Sequence, residues 1–355
     1  MTKPMQGIST LLAVSSCKGG VGKSTVALNL AYSLAKRGFK VGLFDADIYG
    51  PSLPTLVGLD GVHLEGTDTA IRPLVHEGVA LMSFGFTQMG LTGGPALMRG
   101  PMVSQIIHQL LLQTQWGELD YLVIDMPPGT GDIQLTLAQL IPLTAAVIVT
   151  LPQYLSFVDV VKGIQMFDTL KVPTVTVVEN MSTFVCPDCA HAHALFGRGA
   201  LDRLSQEFGL ANTFSLPLES ALSESCDAGT PYVLAYPESP LTKQFLEIGD
   251  ATVREITRIR FEPVSRPVMT HTEAGLQVKV GHEEWTVGCY DLRLACPCAR
   301  CVGEFSGKPL LNPKSIDPTV RPLFIKPVGN YAVGIEWSDG HHSLYPDRLL
   351  TTPPS

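Results

Sequence analysis

The sequence predicts an α/β fold, a doubly wound and mostly parallel sheet over residues 1–260, followed by a linker at 261–273 and a small β-rich domain at 274–355. Three observations carry this reading. Short apolar runs alternate with longer stretches of helical period through the first 260 residues, the pattern of strands buried on both faces between covering helices. A glycine-rich segment joins the first run to the first helix. The segment FEPVSRPVMTHTEAG then brings two prolines and no periodicity, and beyond it the period changes to two.

In chain order the strands are LLAVSS (11–16), KVGLFDA (40–46), GVALMSF (78–84), LDYLVIDM (119–126), AAVIVTL (145–151) and PTVTVVEN (173–180). Helical patterns separate most of them and continue at 199–208 and 240–259. Sheets of this kind bind ligands beyond the carboxyl ends of their strands. In the last domain Tyr331, Val333, Ile335 and Trp337 alternate behind Gly329-Asn330, a hairpin-turn pair.

Composition narrows the function. A chain of 355 residues exceeds one typical domain, and 45% hydrophobic with 16% charged residues excludes intrinsic disorder. The net charge of −8 excludes a general basic surface, so neither nucleic acid nor an anionic membrane is an expected partner. MTKPMQGIST lacks the features of a signal or transit peptide, and a cytoplasmic protein is expected. LTLAQLIPLTAAVIVTL (135–151) reads as a helix then a strand rather than a membrane span. Eight cysteines in such a chain suggest ligands or buried thiols before disulfides.

The segment CKGGVGKST (17–25) matches the phosphate-loop pattern in the required strand-to-helix context. Gly19, Gly20, Val21 and Gly22 turn backbone N–H groups toward phosphate oxygens, and Lys23 brings positive charge to the outer phosphates. Ser24 offers a hydroxyl to Mg²⁺, and Thr25 assists at the inner phosphate. The first domain therefore reads as a P-loop NTPase that takes ATP with magnesium. Asp125 closes an apolar strand in the manner of a Walker B acid, and Gly129, Gly131 and Asp132 follow as a switch loop. Asp45 and Asp47 at the exit of the second strand are expected to face the same crevice, one toward magnesium-bound water and one toward the attacking water.

With Lys18, KGGVGKS resembles the deviant Walker A class that includes MinD, ParA and the nitrogenase iron protein. The resemblance implies a homodimer that sandwiches nucleotide, with Lys18 reaching the partner's nucleotide; by itself Lys18 reads equally as a solvated loop lysine. Matched to the class motif, Asp47 is the water-positioning residue and Asp45 a magnesium partner. CKGGVGKST, DADIYGPSLP, MRGPM, WGELDYLVIDMPPGTGD, VKGIQMF and VENMSTFVCPDC together resemble the Mrp/ApbC group of iron–sulfur carrier ATPases over roughly residues 8–260. Departures are Cys17, where that group usually has Gly, and Leu151 in its Thr-Thr-Pro strand end. The resemblance implies that Asn180 contacts the nucleotide base and Pro217 lines it, and that the chain carries a 4Fe-4S cluster to apo-proteins alongside cluster-assembly factors; by itself Asn180 reads equally as a loop cap.

Cys186 and Cys189 in FVCPDCAHAH offer two thiolates, whereas a cluster normally takes four. A two-fold dimer would complete the set, as the resemblance also implies. His191 and His193 leave open a Cys2His2 zinc site within one chain, and a redox dithiol is a further alternative. The main alternative for the whole chain is a MinD/ParA-like positioning switch; another is a zinc-dependent ATPase adaptor.

In the last domain Cys296, Cys298 and Cys301 stand at C-x-C-x-x-C spacing, which lets three thiolates share one ion. Residues 274–350 resemble the N-terminal domain of gamma-butyrobetaine hydroxylase, and this implies zinc with His341 of WSDGHH as the fourth ligand. Cys289 and His342 are spare candidates, and an iron–sulfur site stays open there.

Overall fold

The computed structural model describes residues 5–64, 66–67, 70–87, 100–129, 132–186, 188–189, 191–197, 201, 204, 210, 212–261, 267–298, 300–302, 309–328 and 332–350. The chain divides into two compact units, residues 1–200 with 212–257, and residues 201–211 with 258–355.

The first unit opens with β1 (Ile8–Ser15), α1 (Lys23–Lys36), β2 (Val41–Asp45), the short helix α2 (Leu53–Leu56), and the strands β3 (Gly66–Thr67), β4 (Ala70–Ile71), β5 (Leu74–His76) and β6 (Val79–Ser83). It continues through α3 (Gly100–Gln113), β7 (Leu119–Asp125), α4 (Asp132–Leu140), β8 (Ala145–Thr150), α5 (Tyr154–Thr169) and β9 (Thr174–Glu179). The hairpin β10 (Phe184–Val185) and β11 (Ala192–His193) follows, then β12 (Thr213–Ser215), α6 (Ser220–Asp227), α7 (Tyr232–Ala235) and α8 (Pro240–Phe261).

All six strands read from the sequence pair in one sheet, in the order β12-β9-β8-β1-β7-β2-β6-β5. Every pairing is parallel except that of β5 with β6. The reason is visible in the side chains: β2, β8 and β9 are buried along their whole length, which only a sheet covered on both faces allows. The short strands β5 and β12 were not legible because edge strands of three residues carry no period. From β1 the chain runs through α1 to β2 on one side, whereas β7 leads through α4 to β8 on the other. The strand order thus reverses at β1, where sheets of this class bind ligands. The stretch 135–151 is the end of α4 followed by β8, and among the described residues no helix is long and apolar enough to cross a membrane.

In the second unit β13 (Val268–Thr272), β14 (Gly275–Val280) and β15 (Glu283–Val287) form one antiparallel meander, with β16 (Pro322–Val328), β17 (Ala332–Trp337) and β18 (His342–Pro346) forming another. The helix α9 (Cys289–Leu294) lies between them in sequence. Leu276, Val278, Val333, Ile335, Trp337 and Tyr345 share one core. The period-two reading holds at Val333, Ile335 and Trp337; Gly329, Asn330 and Tyr331 lie outside the described residues, as does most of 199–208.

One boundary differs from the sequence reading. Residues 268–272, inside the stretch read as linker, form a strand of the second unit. β13 is an edge strand in which Met269 is buried while Val268, Thr270 and His271 are exposed, so its alternation is too weak to show among threonines and histidine.

Candidate functional site

The phosphate loop follows β1 directly, at the centre of the sheet. Gly22 caps α1 at φ 83°, a left-handed conformation that glycine adopts freely. It is also tight: a Cβ there would lie 2.3 Å from Asn180 Nδ2. Asn180 is buried and donates from Nδ2 to the Val21 carbonyl at 2.9 Å, so it braces the loop from the end of β9. Pro217 is brought beside it, because Leu216 N bonds the Glu179 carbonyl and Ser182 N bonds Leu216 O.

Lys23 is buried, and its ammonium bonds the Asp125 carboxylate and, at 3.3 Å, Ser24 Oγ. Asp45 and Asp125 sit opposite each other in the β2–β7 register, both buried. Burial first, and the Asp125 charge second, push Asp45 up to about 7. Burial also raises Asp125, against the lowering effect of Lys23. Asp45 accepts from four donors: the N–H groups of Asp47 (3.1 Å), Ser52 (3.0 Å) and Leu53 (3.1 Å), and Ser83 Oγ (3.0 Å). Two buried carboxylates facing one ammonium and one serine hydroxyl suit a divalent cation with phosphate beside it.

Asp47 reaches the crevice from beyond the strand rather than along it, close enough for its charge to raise Asp125. β2 ends at Asp45, so strand alternation does not aim Asp47; it stands half-buried on the following turn, where Oδ1 accepts from Gly50 N at 3.3 Å. Lys18 pairs with Asp159 of α5 at 3.1 Å, and Lys162 approaches the same carboxylate at 3.5 Å. Gly129 N donates to the Ser16 carbonyl, which joins the loop after β7 to the phosphate loop. Gly131 and the Asp132 side chain lie outside the described residues.

Two cysteines flank this site without ligand geometry. Cys17 Sγ fills the space that a Cβ on Gly163 would occupy, 2.6 Å away, and burial raises its thiol to about 11. A thiol so raised is protonated and unreactive at neutral pH. Cys226 is buried with Sγ 3.9 Å from Thr25 Oγ1, and burial raises it too.

Cys186 and Cys189 occupy the turn of the β10–β11 hairpin, which is closed by Cys186 N donating to His191 O at 3.0 Å. Cys189 is exposed and Cys186 half-buried. Backbone N–H groups of Cys189 and then Asp188 point at Cys186 and lower its thiol. The two thiols are thus accessible to solvent. Among the described residues, the ligand atoms of Cys186, Cys189, His191 and His193 do not converge on one ion position; the rings of His191 and His193 stack edge to face instead.

The one group of three or more metal-ligating side chains that does converge among the described residues is Cys296, Cys298, Cys301 and His341, with ligand atoms all within 4.8 Å. The three Sγ atoms lie 3.3, 3.5 and 3.7 Å from His341 Nε2. Zinc bonds of about 2.3 Å to sulfur and 2.0 Å to nitrogen give a tetrahedral S···N edge of about 3.5 Å, so the set fits zinc. Ser343 Oγ donates to Cys296 Sγ at 3.1 Å, and buried Arg293 donates to Cys301 Sγ at 3.6 Å while holding Asp339 at 2.9 Å. A donor from Cys296 and the N–H groups of Arg300 and Cys301 lower Cys298 to about 4. Cys289 and His342 stand outside this set.

The site residues named from the sequence fall into these three places. Asp159 and Arg293, which hold Lys18 and the cysteine set, carry no local signal in the sequence, since each acts through a contact far along the chain.

Residues 7–253 match the ParA family, described as NUBPL iron-transfer P-loop NTPases, and residues 269–351 match the gamma-butyrobetaine hydroxylase-like N-terminal family. The chloroplastic Fe-S cluster assembly factor of Arabidopsis thaliana is 46% identical over 358 residues, which cover 98% of this chain and 66% of that protein; the chain thus spans just under two thirds of that relative. The iron-sulfur cluster carrier protein of Escherichia coli is 45% identical over 254 residues, 71% of this chain and 68% of that one. A nucleotide-binding protein from Archaeoglobus fulgidus, solved with ADP, is 36% identical with a TM-score of 0.60, covering 68% of this chain and 93% of that one. The MinD protein of Pyrococcus horikoshii, at 19% identity and TM-score 0.52 over 71% of this chain and 99% of that one, shares the fold. This chain belongs to the ParA family of iron-transfer P-loop NTPases.

Proposed function

We propose that the protein is a magnesium-dependent ATPase that carries a 4Fe-4S cluster between two copies of the chain and delivers it to apo-proteins. The observation that carries the reading is the pair Cys186 and Cys189: two exposed or half-exposed thiols, one with a lowered pKa, on a hairpin separate from the nucleotide site. An exchangeable cargo needs thiolates that a recipient's ligands can reach, and these are reachable. Two thiolates per chain require a second chain to complete four. A Cys2His2 zinc site is disfavoured by the dispersed ligand atoms.

In the nucleotide site Ser24, Asp45 and Asp125 would hold Mg²⁺, which neutralises developing phosphate charge when bound. The phosphate loop's N–H groups and Lys23 hold the phosphates, Asp47 positions water, and Lys18 leaves Asp159 to reach the partner's nucleotide. Asn180 and Pro217, beside the phosphate loop, are the residues that would contact the base. Nucleotide state and cluster retention are then linked because both depend on one dimer arrangement.

In the second unit Cys296, Cys298, Cys301 and His341 would hold zinc as a permanent structural ion, which supplies folding free energy to a small core. All eight cysteines are free, as a reducing compartment such as the cytoplasm maintains. Recipient apo-proteins and cluster-assembly factors are the expected partners.

Cys189→Ser in the full chain tests the carrier reading. After anaerobic reconstitution the variant is expected to lose visible cluster absorbance and keep nucleotide affinity within about twofold, since the phosphate contacts lie in a separate loop. Unchanged absorbance would contradict the assignment.

A further inference from the structure

Gln134 is the third residue of α4, the helix that follows the loop after the Walker B strand. Its side chain is 2% exposed. Nε2 donates to Ser15 Oγ, 119 residues earlier, at the last position of β1. Oε1 has no hydrogen-bond partner among the described residues. Buried amides normally satisfy both ends, and a Met or Leu of similar volume would fill the same space without an orphaned acceptor. Packing alone therefore does not account for the amide.

Its surroundings give a reason. Ser15 and Ser16 are both buried and lead straight into the phosphate loop. Ser16 O accepts from Gly129 N at 3.0 Å, and Ser16 Oγ donates to the Lys18 carbonyl at 2.8 Å. Met126 N bonds the Val14 carbonyl at 3.0 Å alongside. The loop after β7 is thus tied to β1 at its start through Met126, in its middle through Gly129 and beyond its end through Gln134. From the two serines a single hydroxyl continues to the backbone of Lys18. These links join the end of β1, Gly129, Gln134 and the Lys18 backbone and do not involve Lys23 or Ser24; they set where the loops stand.

We infer that Gln134 is a positioning residue for nucleotide hydrolysis, fixing the start of α4 against the end of β1 and, through Ser15 and Ser16, the backbone of the Lys18 segment; this rests on the hydrolysis reading above.

The test uses the full chain and compares wild type, Gln134→Met, Ser15→Ala and the double variant. ATP turnover, binding of a fluorescent ATP analogue and thermal midpoint are measured for each. Gln134→Met and Ser15→Ala are each expected to lower kcat roughly 10- to 100-fold, the scale of a small misplacement in a reacting site, while KM and nucleotide affinity stay within about threefold. The double variant is expected to be no slower than the slower single one, because both remove the same link. Ser15→Ala removes one oxygen from a buried strand end and carries the test if Gln134→Met does not fold. Wild-type turnover with unchanged kcat in a folded variant overturns the inference alone, as do losses that multiply in the double variant or that fall equally on binding and kcat. A wild-type chain that binds ATP without hydrolysing it overturns the hydrolysis reading and this inference with it.

Discussion

Lys23→Ala is expected to abolish useful nucleotide binding and to destabilise the nucleotide-free protein as well. A charge-assisted hydrogen bond contributes about 1.5–3 kcal/mol, so losing the ammonium weakens ATP binding roughly 10- to 100-fold. The stability effect comes from what Lys23 holds. Its ammonium is the partner of buried Asp125, whose neighbour in the strand register is buried Asp45. Removing one member of a buried pair costs about 3–5 kcal/mol because the other charge is left uncompensated.

This penalty has a pH signature. Both carboxyls already have raised pKa values, Asp45 at about 7, and without Lys23 the lowering influence on each is gone. A carboxyl whose folded pKa is raised contributes stability below its unfolded pKa, near 4, and loses it as pH rises through the folded value. The deficit of Lys23→Ala relative to wild type is therefore expected to shrink as pH falls from 7.5 toward 5, read as the difference in denaturation midpoint. A deficit that does not change with pH would mean that the carboxylates are not its source. Lys18→Ala differs in every respect. Its pair with Asp159 is partly exposed, with side-chain exposures of 33% and 20%, and such pairs contribute about 1 kcal/mol or less. Lys18→Ala should keep ATP binding and lose turnover.

Cys296→Ser is expected to empty the zinc site and unfold much of the second unit while sparing ATP turnover by the first. Structural zinc contributes on the order of 10 kcal/mol to small domains, more than such a core supplies alone. The readouts are zinc per chain, hydrogen exchange beyond residue 268 and tryptophan fluorescence. Trp337 reports directly, because its Nε1 donates to Ser343 Oγ at 2.9 Å and that hydroxyl donates to Cys296. Zinc retained at wild-type occupancy would contradict the ligand assignment. Loss of the visible cluster instead of zinc would place the iron–sulfur site in the second unit.

The parts of this molecule that were legible in the sequence are those with a local cause. Strands buried on both faces show as unbroken apolar runs, and the phosphate loop shows because glycines, lysine and serine must follow one another to wrap phosphate. Cys296, Cys298 and Cys301 are likewise close in sequence because one ion draws them together. His341, 40 residues after Cys301, came from resemblance rather than from spacing, and the structure brings its Nε2 within 3.7 Å of all three sulfurs. Asp47 shows the limit of a local rule: period-two logic holds only while the strand lasts, and β2 ends two residues earlier. Asn180 reads from the sequence either toward the nucleotide base or as a loop cap, and in this structure its amide braces the Val21 carbonyl. Gln134 and Asp159 carry no signal at all, since a buried glutamine and a helix aspartate look alike wherever they occur until the tertiary contact is known.

The central claim is that the cargo cluster is shared between two chains, with two thiolates from each. Iron, acid-labile sulfide and zinc per chain, measured on anaerobically reconstituted protein together with mass by light scattering, test it most directly. The account predicts a dimer holding one four-iron, four-sulfide cluster per two chains, and one zinc per chain that persists in Cys186→Ser/Cys189→Ser. A colourless monomer with a second zinc bound at the hairpin, lost in that double variant, would contradict it.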